Sequence, residues 1–152
     1  MDMPVDDDTS IFAVIDDNQP ARIIPGVYDL RFDYFETRVM FGRCPKLVMW
    51  FTVITMGEYF NCVQLPRFYN ISKLMEKPKK WGRFKVGLKS DFVRDYGRLF
   101  DIPTRLDRFP MSVFERVIIE AKVRDVTTGS NQREIPKGLR YSVIHEFVRL
   151  KK

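Results

Sequence analysis

The chain has 152 residues, 45% of them hydrophobic and 30% charged, proportions that fit one globular domain with a substantial core. No apolar run approaches the roughly 20 residues a membrane-spanning helix needs, and the acidic N-terminus lacks the order of a secretory signal. Two cysteines, Cys44 in a loop and Cys62 in a strand, are too few for a disulfide framework or a metal site and read as reduced, small apolar residues in a cytoplasm.

The net charge of +6 is unevenly spread. Residues 1–20 hold six aspartates and no basic residue, whereas Arg67 to Arg98 holds ten Lys/Arg against three acids. A basic segment of that density on a compact domain points to a polyanionic partner. Its bland counterpart is a solvated basic face.

Residues 1–10 read as a disordered acidic tail, and 11–152 as a single domain. Ile11 to Ile15 suits an edge strand or a docked arm, and Asp16 to Pro25 a connector broken by prolines. The first main strand alternates: Tyr28, Leu30, Phe32 and Tyr34 on one side, Asp29, Arg31 and Asp33 on the other. The alternation breaks near Phe35-Glu36, which predicts a bulge or bend. The second strand, Lys46 to Thr55, assigns Leu47, Met49, Phe51 and Val53 to the core and leaves Val48, Trp50, Thr52 and Ile54 on the opposite face. Met56-Gly57 closes a hairpin into a third strand from Glu58 to about Leu65, stopped by Pro66.

Ile71 to Lys89 holds no period and reads as an ordered, irregular excursion. Ser90 then suits a helix N-cap, with Asp91 in the first turn. Phe92, Tyr96, Leu99 and Phe100 form the apolar face of that helix, Arg94, Asp95 and Arg98 its polar side. Val117, Ile119, Ala121 and Val123 mark a fourth strand. Leu139 to Leu150 begins as a fifth, although Ile144, Phe147 and Val148 would also fit a helical turn.

Five strands with one helix between the third and fourth give a mainly β fold, an OB-like five-stranded antiparallel barrel. Oligonucleotides cross the second and third strands of that fold, between the loop joining strands one and two and the loop joining four and five. Here the first loop carries Arg38, Arg43 and Lys46, and the second Arg133 and Lys137. Trp50 and Tyr59 suit the floor of the groove, and Arg67 and Tyr69 follow the third strand. In the excursion Lys77, Lys79, Lys80, Arg83 and Lys85 interleave with Trp81 and Phe84. Unpaired bases stack on rings while cations follow phosphates, so this mixture suits a single strand. Alternatively, Trp81 and Phe84 are hydrophobic anchors that pin the loop.

The runs PGVYDLRFDYFETRVMFGRCPKLVMWFTVITMGEYF, LPRFYN, GRFKVGLKSDFVRDY and LRYSVI resemble small proteins of bacteriophages, plasmids and integrative conjugative elements. Phage families with the same opening, PG-Y followed by a strand and a loop ending in PKL, are regarded as single-stranded-DNA-binding proteins. The resemblance covers roughly residues 25–149 and rests on turn glycines and core aromatics. It implies a bacterial cytoplasm and a role in DNA replication, recombination or transfer.

Nothing in the chain has the spacing of a catalytic or cofactor site. His145 is the sole histidine, no glycine-rich phosphate loop is present, and no metal or cofactor is expected. The expected partner is single-stranded DNA, with RNA chemically close to it. The rival is an OB-like module that binds a host or replisome protein, such as a defence complex. The acidic tail has the charge to engage a basic partner or to fold back on a basic groove, and a homo-oligomer is compatible with either reading.

Overall fold

A computed structural model describes residues 21–40, 42–55, 62–127, 134 and 141–151. Its centre is a long strand, β1 (Gly26–Met40), paired antiparallel with β2 (Cys44–Val53). The register slips between Phe32 and Tyr34, so Asp33 is the extra residue of a bulge. Alternation therefore inverts: Tyr28, Leu30 and Phe32 face the core before the bulge, Phe35 and Thr37 after it. Tyr34, expected inside, falls on the outer face with Glu36 and Arg38. On β2 the expected division holds: Leu47, Met49, Phe51 and Val53 join the core cluster, which excludes Val48 and Trp50.

The third strand, β3 (Gln64–Asn70), starts later than Glu58 and runs through Pro66, which sits opposite Trp50. Proline is tolerated there because β3 is an edge strand of the ladder. Cys62, expected in a strand, lies exposed in a turn with φ 72°. Ile11 to Ile15 and the Met56-Gly57 turn lie outside the described residues.

The irregular excursion closes on itself: β4 (Lys73–Leu74) pairs with β5 (Phe84–Lys85). Helix α1 (Asp91–Leu99) follows, and the Ser90 side chain accepts from the Val93 N–H at 3.3 Å. A 3₁₀ helix (Met111–Arg116) buries Met111 and Phe114 ahead of β6 (Ile118–Val126). The last element, β7 (Tyr141–Lys151), is strand throughout. The register slip against β6 between Lys122 and Val123 makes His145 an extra residue and puts Ile144 and Phe147, three positions apart, on the same core face. That explains the helical spacing at its end.

The main sheet has the order β3-β2-β1-β6-β7, every pair antiparallel. Among the described residues no ladder joins β3 to β7, so what the structure shows is a mainly β, five-stranded antiparallel sheet whose two edge strands are not hydrogen-bonded to each other there. The two edges meet through side chains, with the Tyr69 and Phe147 rings 6.4 Å apart. Helix α1 spans that gap. Its Asp95 takes Arg67 and Tyr69 from β3, while its Arg98 pairs with Glu146 of β7 and donates to the Phe147 carbonyl at 3.0 Å. The Arg98 guanidinium, with Lys122 beside it, holds the half-buried Glu146 carboxyl down at about 2.

Asp95 is a second departure from the helical wheel. Expected on the polar side, it is fully buried. Arg67 alternates with Leu65 and Tyr69 and so points inward; Asp95, three residues after Phe92, shares the apolar stripe. The Arg67 guanidinium donates to Asp95 at 2.9 Å and lies 4.2 Å from the Tyr69 ring centre, and the Tyr69 hydroxyl donates to the same carboxylate at 2.7 Å.

Candidate nucleic-acid interface

The Asp33 bulge turns three β1 side chains, Tyr34, Glu36 and Arg38, toward the outward residues of β2. Tyr34 and Trp50 stack with ring centres 6.4 Å apart and planes 27° apart. The Trp50 indole N–H donates to Glu36 Oε2 at 2.8 Å, and Arg38 donates to the same oxygen at 2.8 Å. The Arg38 guanidinium lies 6.0 Å from the indole centre. Trp50 is 8% exposed, so it forms part of the platform's body and is no open stacking surface. Asp33 accepts from Thr52 and Gln64 at 2.6 and 2.9 Å, so two carboxylates stand amid the outer face of β1–β2–β3. Phosphates would avoid that centre.

Cationic density lies beside it, on the excursion. Beyond the bulge the edge of β1 away from β2 is met by residues 79–81: Thr37 N–H donates to Lys79 O at 3.0 Å, and Trp81 N–H to Phe35 O at 2.9 Å. Gly82 is required by this docking, because a Cβ there would lie 2.5 Å from Thr37 Oγ1. Trp81 takes a left-handed backbone with φ 62°, a conformation that costs an L side chain about 1–2 kcal/mol. Its ring stands edge-on to Phe35 at 5.2 Å, Phe32 at 6.2 Å and Tyr34 at 6.4 Å, yet the residue remains 44% exposed. Lys80 Nζ lies 4.4 Å above the Tyr34 ring. Trp50, Tyr34 and Trp81 thus form one continuous aromatic band, crossed by Arg38 and Lys80.

Residues 73–89 carry seven Lys/Arg and one acid, Glu76. Glu76 accepts from the Arg83 backbone N–H at 2.8 Å and lies within 3.3 and 3.7 Å of Lys79 and Arg83. The Arg83 N–H, then Lys79, lowers its carboxyl below the usual range, so the loop's acid is spent on closing the loop. Lys77, Lys79, Lys80, Arg83 and Lys85 are all exposed around Trp81.

Behind Trp81 the loop leaves a cleft of about 590 Å³ against residues 103–111. Phe35, Phe84, Phe109 and Met111 give it an apolar lining, and Arg83, Arg108 and Asp107 are the charged residues around it. The two aromatics of the excursion therefore divide their roles. Phe84 is a buried anchor, and Trp81 is the exposed ring.

The remaining expected site residues scatter. Arg43 is exposed in the β1–β2 turn, and Lys46 is half-buried and bonded to Asn70. Arg67 and Tyr69, expected on the interface, are interior, because alternation on β3 turns both toward α1. Tyr59, Arg133 and Lys137 lie outside the described residues. Sequence reasoning missed Tyr34, although the Tyr34-Phe35 doublet, two rings in succession, signals the inversion. It also missed Arg108 and the cleft, which no local pattern announces.

His145 is exposed and accepts from Arg124 at 3.2 Å. Among the described residues no three His, Cys, Asp or Glu side chains gather to hold a metal, and no helix is long and apolar enough to cross a membrane. Comparison of the chain with protein-family models, curated proteins and solved structures finds no match.

Proposed function

We propose that this protein binds single-stranded DNA without catalysing a reaction. The strand would run along the ridge formed by residues 77–85, with the Tyr34 ring beside it. The observation that carries this reading is Trp81, an aromatic ring held part-exposed by its backbone among Lys79, Lys80 and Arg83. Tyr34 offers a second ring, and Lys80, now resting on it, can move to a phosphate when a base takes its place. The sheet order and the meeting of β3 with β7 support an OB-like, partly open barrel. The ridge lies to one side of that fold's usual groove, where Asp33 and Glu36 oppose a polyanion. The resemblance to phage and mobile-element proteins supports a setting in DNA replication, recombination or transfer in a bacterial cytoplasm.

Contact with about four phosphates gives a salt slope of about −3 for a single strand. Affinity for an oligonucleotide is then expected to fall about 50-fold between roughly 50 and 200 mM salt. Titrations followed by tryptophan fluorescence at both salt concentrations, with single strand and duplex, test the reading. A flat salt response, or duplex bound as tightly as single strand, removes it in favour of a protein partner.

A further inference from the structure

The cleft beside Trp81 has a chemistry of its own. Its volume of about 590 Å³ lies within the range of small-molecule sites. Phe35, Phe84 and Phe109 supply ring surface, and Met111 a polarizable thioether, on which a flat heterocycle packs well. Arg83 and Arg108 flank it with positive charge, which an apolar side chain from a protein would not need. Asp107 is the sole carboxylate among its lining residues. Arg105 grips that carboxylate through two bonds of 3.1 and 2.7 Å. The Arg105 guanidinium holds the Asp107 carboxyl below its ordinary range, and as a carboxylate Asp107 is an acceptor with capacity beyond the two Arg105 bonds.

An apolar slot with flanking cations and one fixed acceptor matches a base with a polar edge, attached to phosphates. We propose that this cleft binds one unstacked nucleobase and favours bases that carry an exocyclic amino group. The inference rests on the strand-binding reading in one respect, that the base arrives on a strand held by the ridge. Trp81 borders both, so a strand lying on its exposed side can place the adjoining base in the cleft without leaving the cationic band.

The test uses the full chain with ¹³C-labelled methionine methyls, the Met111 signal being assigned with Met111→Leu. Adenosine, cytidine and thymidine probe the cleft without any phosphate, and NMR reads weak binding directly. Ring currents from adenosine and cytidine are expected to shift the Met111 methyl. Thymidine, lacking the amino group, is expected to bind about two- to tenfold more weakly, and Asp107→Ala to erase that difference. A single-stranded oligonucleotide should shift Met111, whereas an abasic phosphodiester chain should not. If the oligonucleotide binds and Met111 stays unmoved by it and by nucleosides, the cleft proposal falls and the ridge stands. If nucleosides shift Met111 but no oligonucleotide binds, the cleft stands and the ridge falls. A Met111 signal moved by toluene and by no nucleoside overturns the base pocket and makes the cleft a seat for an apolar protein side chain.

Discussion

Asp95→Ala is expected to cost about 3–5 kcal/mol of folding stability, measured by urea unfolding. The reason is what it leaves behind. Arg67 is a guanidinium pointed into the core, and Asp95 is its paired anion, fully buried. Removing the carboxylate strands that charge in a medium that solvates it poorly and deprives the Tyr69 hydroxyl of its acceptor. Replacing the whole cluster with apolar residues, Arg67→Met with Tyr69→Phe and Asp95→Leu, is expected to lie much closer to the parent, because no charge or donor is then orphaned. A loss below about 1 kcal/mol for Asp95→Ala would mean that Arg67 finds water or another partner, and that α1 is not locked to β3 as described.

The same cluster sets an alkaline limit. Burial raises the Tyr69 phenol well above its ordinary value, against the lowering effect of Arg67. A group whose pKa is raised by folding contributes stability that is fully present below its unfolded value near 10 and is lost as pH rises toward the folded value. Stability is therefore expected to decline above about pH 10, and Tyr69→Phe to flatten that decline in a series of urea midpoints against pH.

Periodicity made part of this fold legible and concealed the rest for definable reasons. Alternation on β2 separated Leu47, Met49, Phe51 and Val53 from Val48 and Trp50, and Ser90 announced α1, because both signals are local. One extra residue, Asp33, then reversed the facing of everything after it on β1, and carried Tyr34 from the expected core to the outer face. A charge at an inward position misled in the opposite direction. Arg67 and Asp95 read as surface residues because each is ionic, although strand alternation and helical spacing both place them inside. Only their pairing across 28 positions makes that burial tolerable, and no local window contains it. The candidate site suffered in the same way. Its basic and aromatic content was evident in Lys77 to Lys85, but the assignment of exposure to Trp81 and burial to Phe84 depends on how residues 79–81 dock on β1. Analogy with a fold places Trp50, Arg67 and Tyr69 in a groove, whereas each is engaged in holding this structure together.

Trp81→Ala is expected to weaken single-strand binding by about 1–3 kcal/mol, roughly 5- to 150-fold, with the domain still folded. Its side chain has two aspects. One edge packs on Phe35 and Phe32, and the other side is open to solvent. A loss of affinity alone could follow from a loosened loop, so backbone strain provides the control. At φ 62° alanine keeps the strain of the parent, whereas glycine relieves it. Trp81→Gly should therefore match or exceed Trp81→Ala in urea stability while binding as weakly. Trp81→Phe, smaller but still aromatic, should recover part of the affinity. If Trp81 were only an anchor, affinity would track stability across the three variants, and the glycine form would bind better than the alanine form wherever it is more stable. Binding that follows the ring and ignores the stability order is the behaviour of a stacking surface. Binding unchanged in all three would leave the cations of the loop with no base to position and would return Trp81 to packing alone.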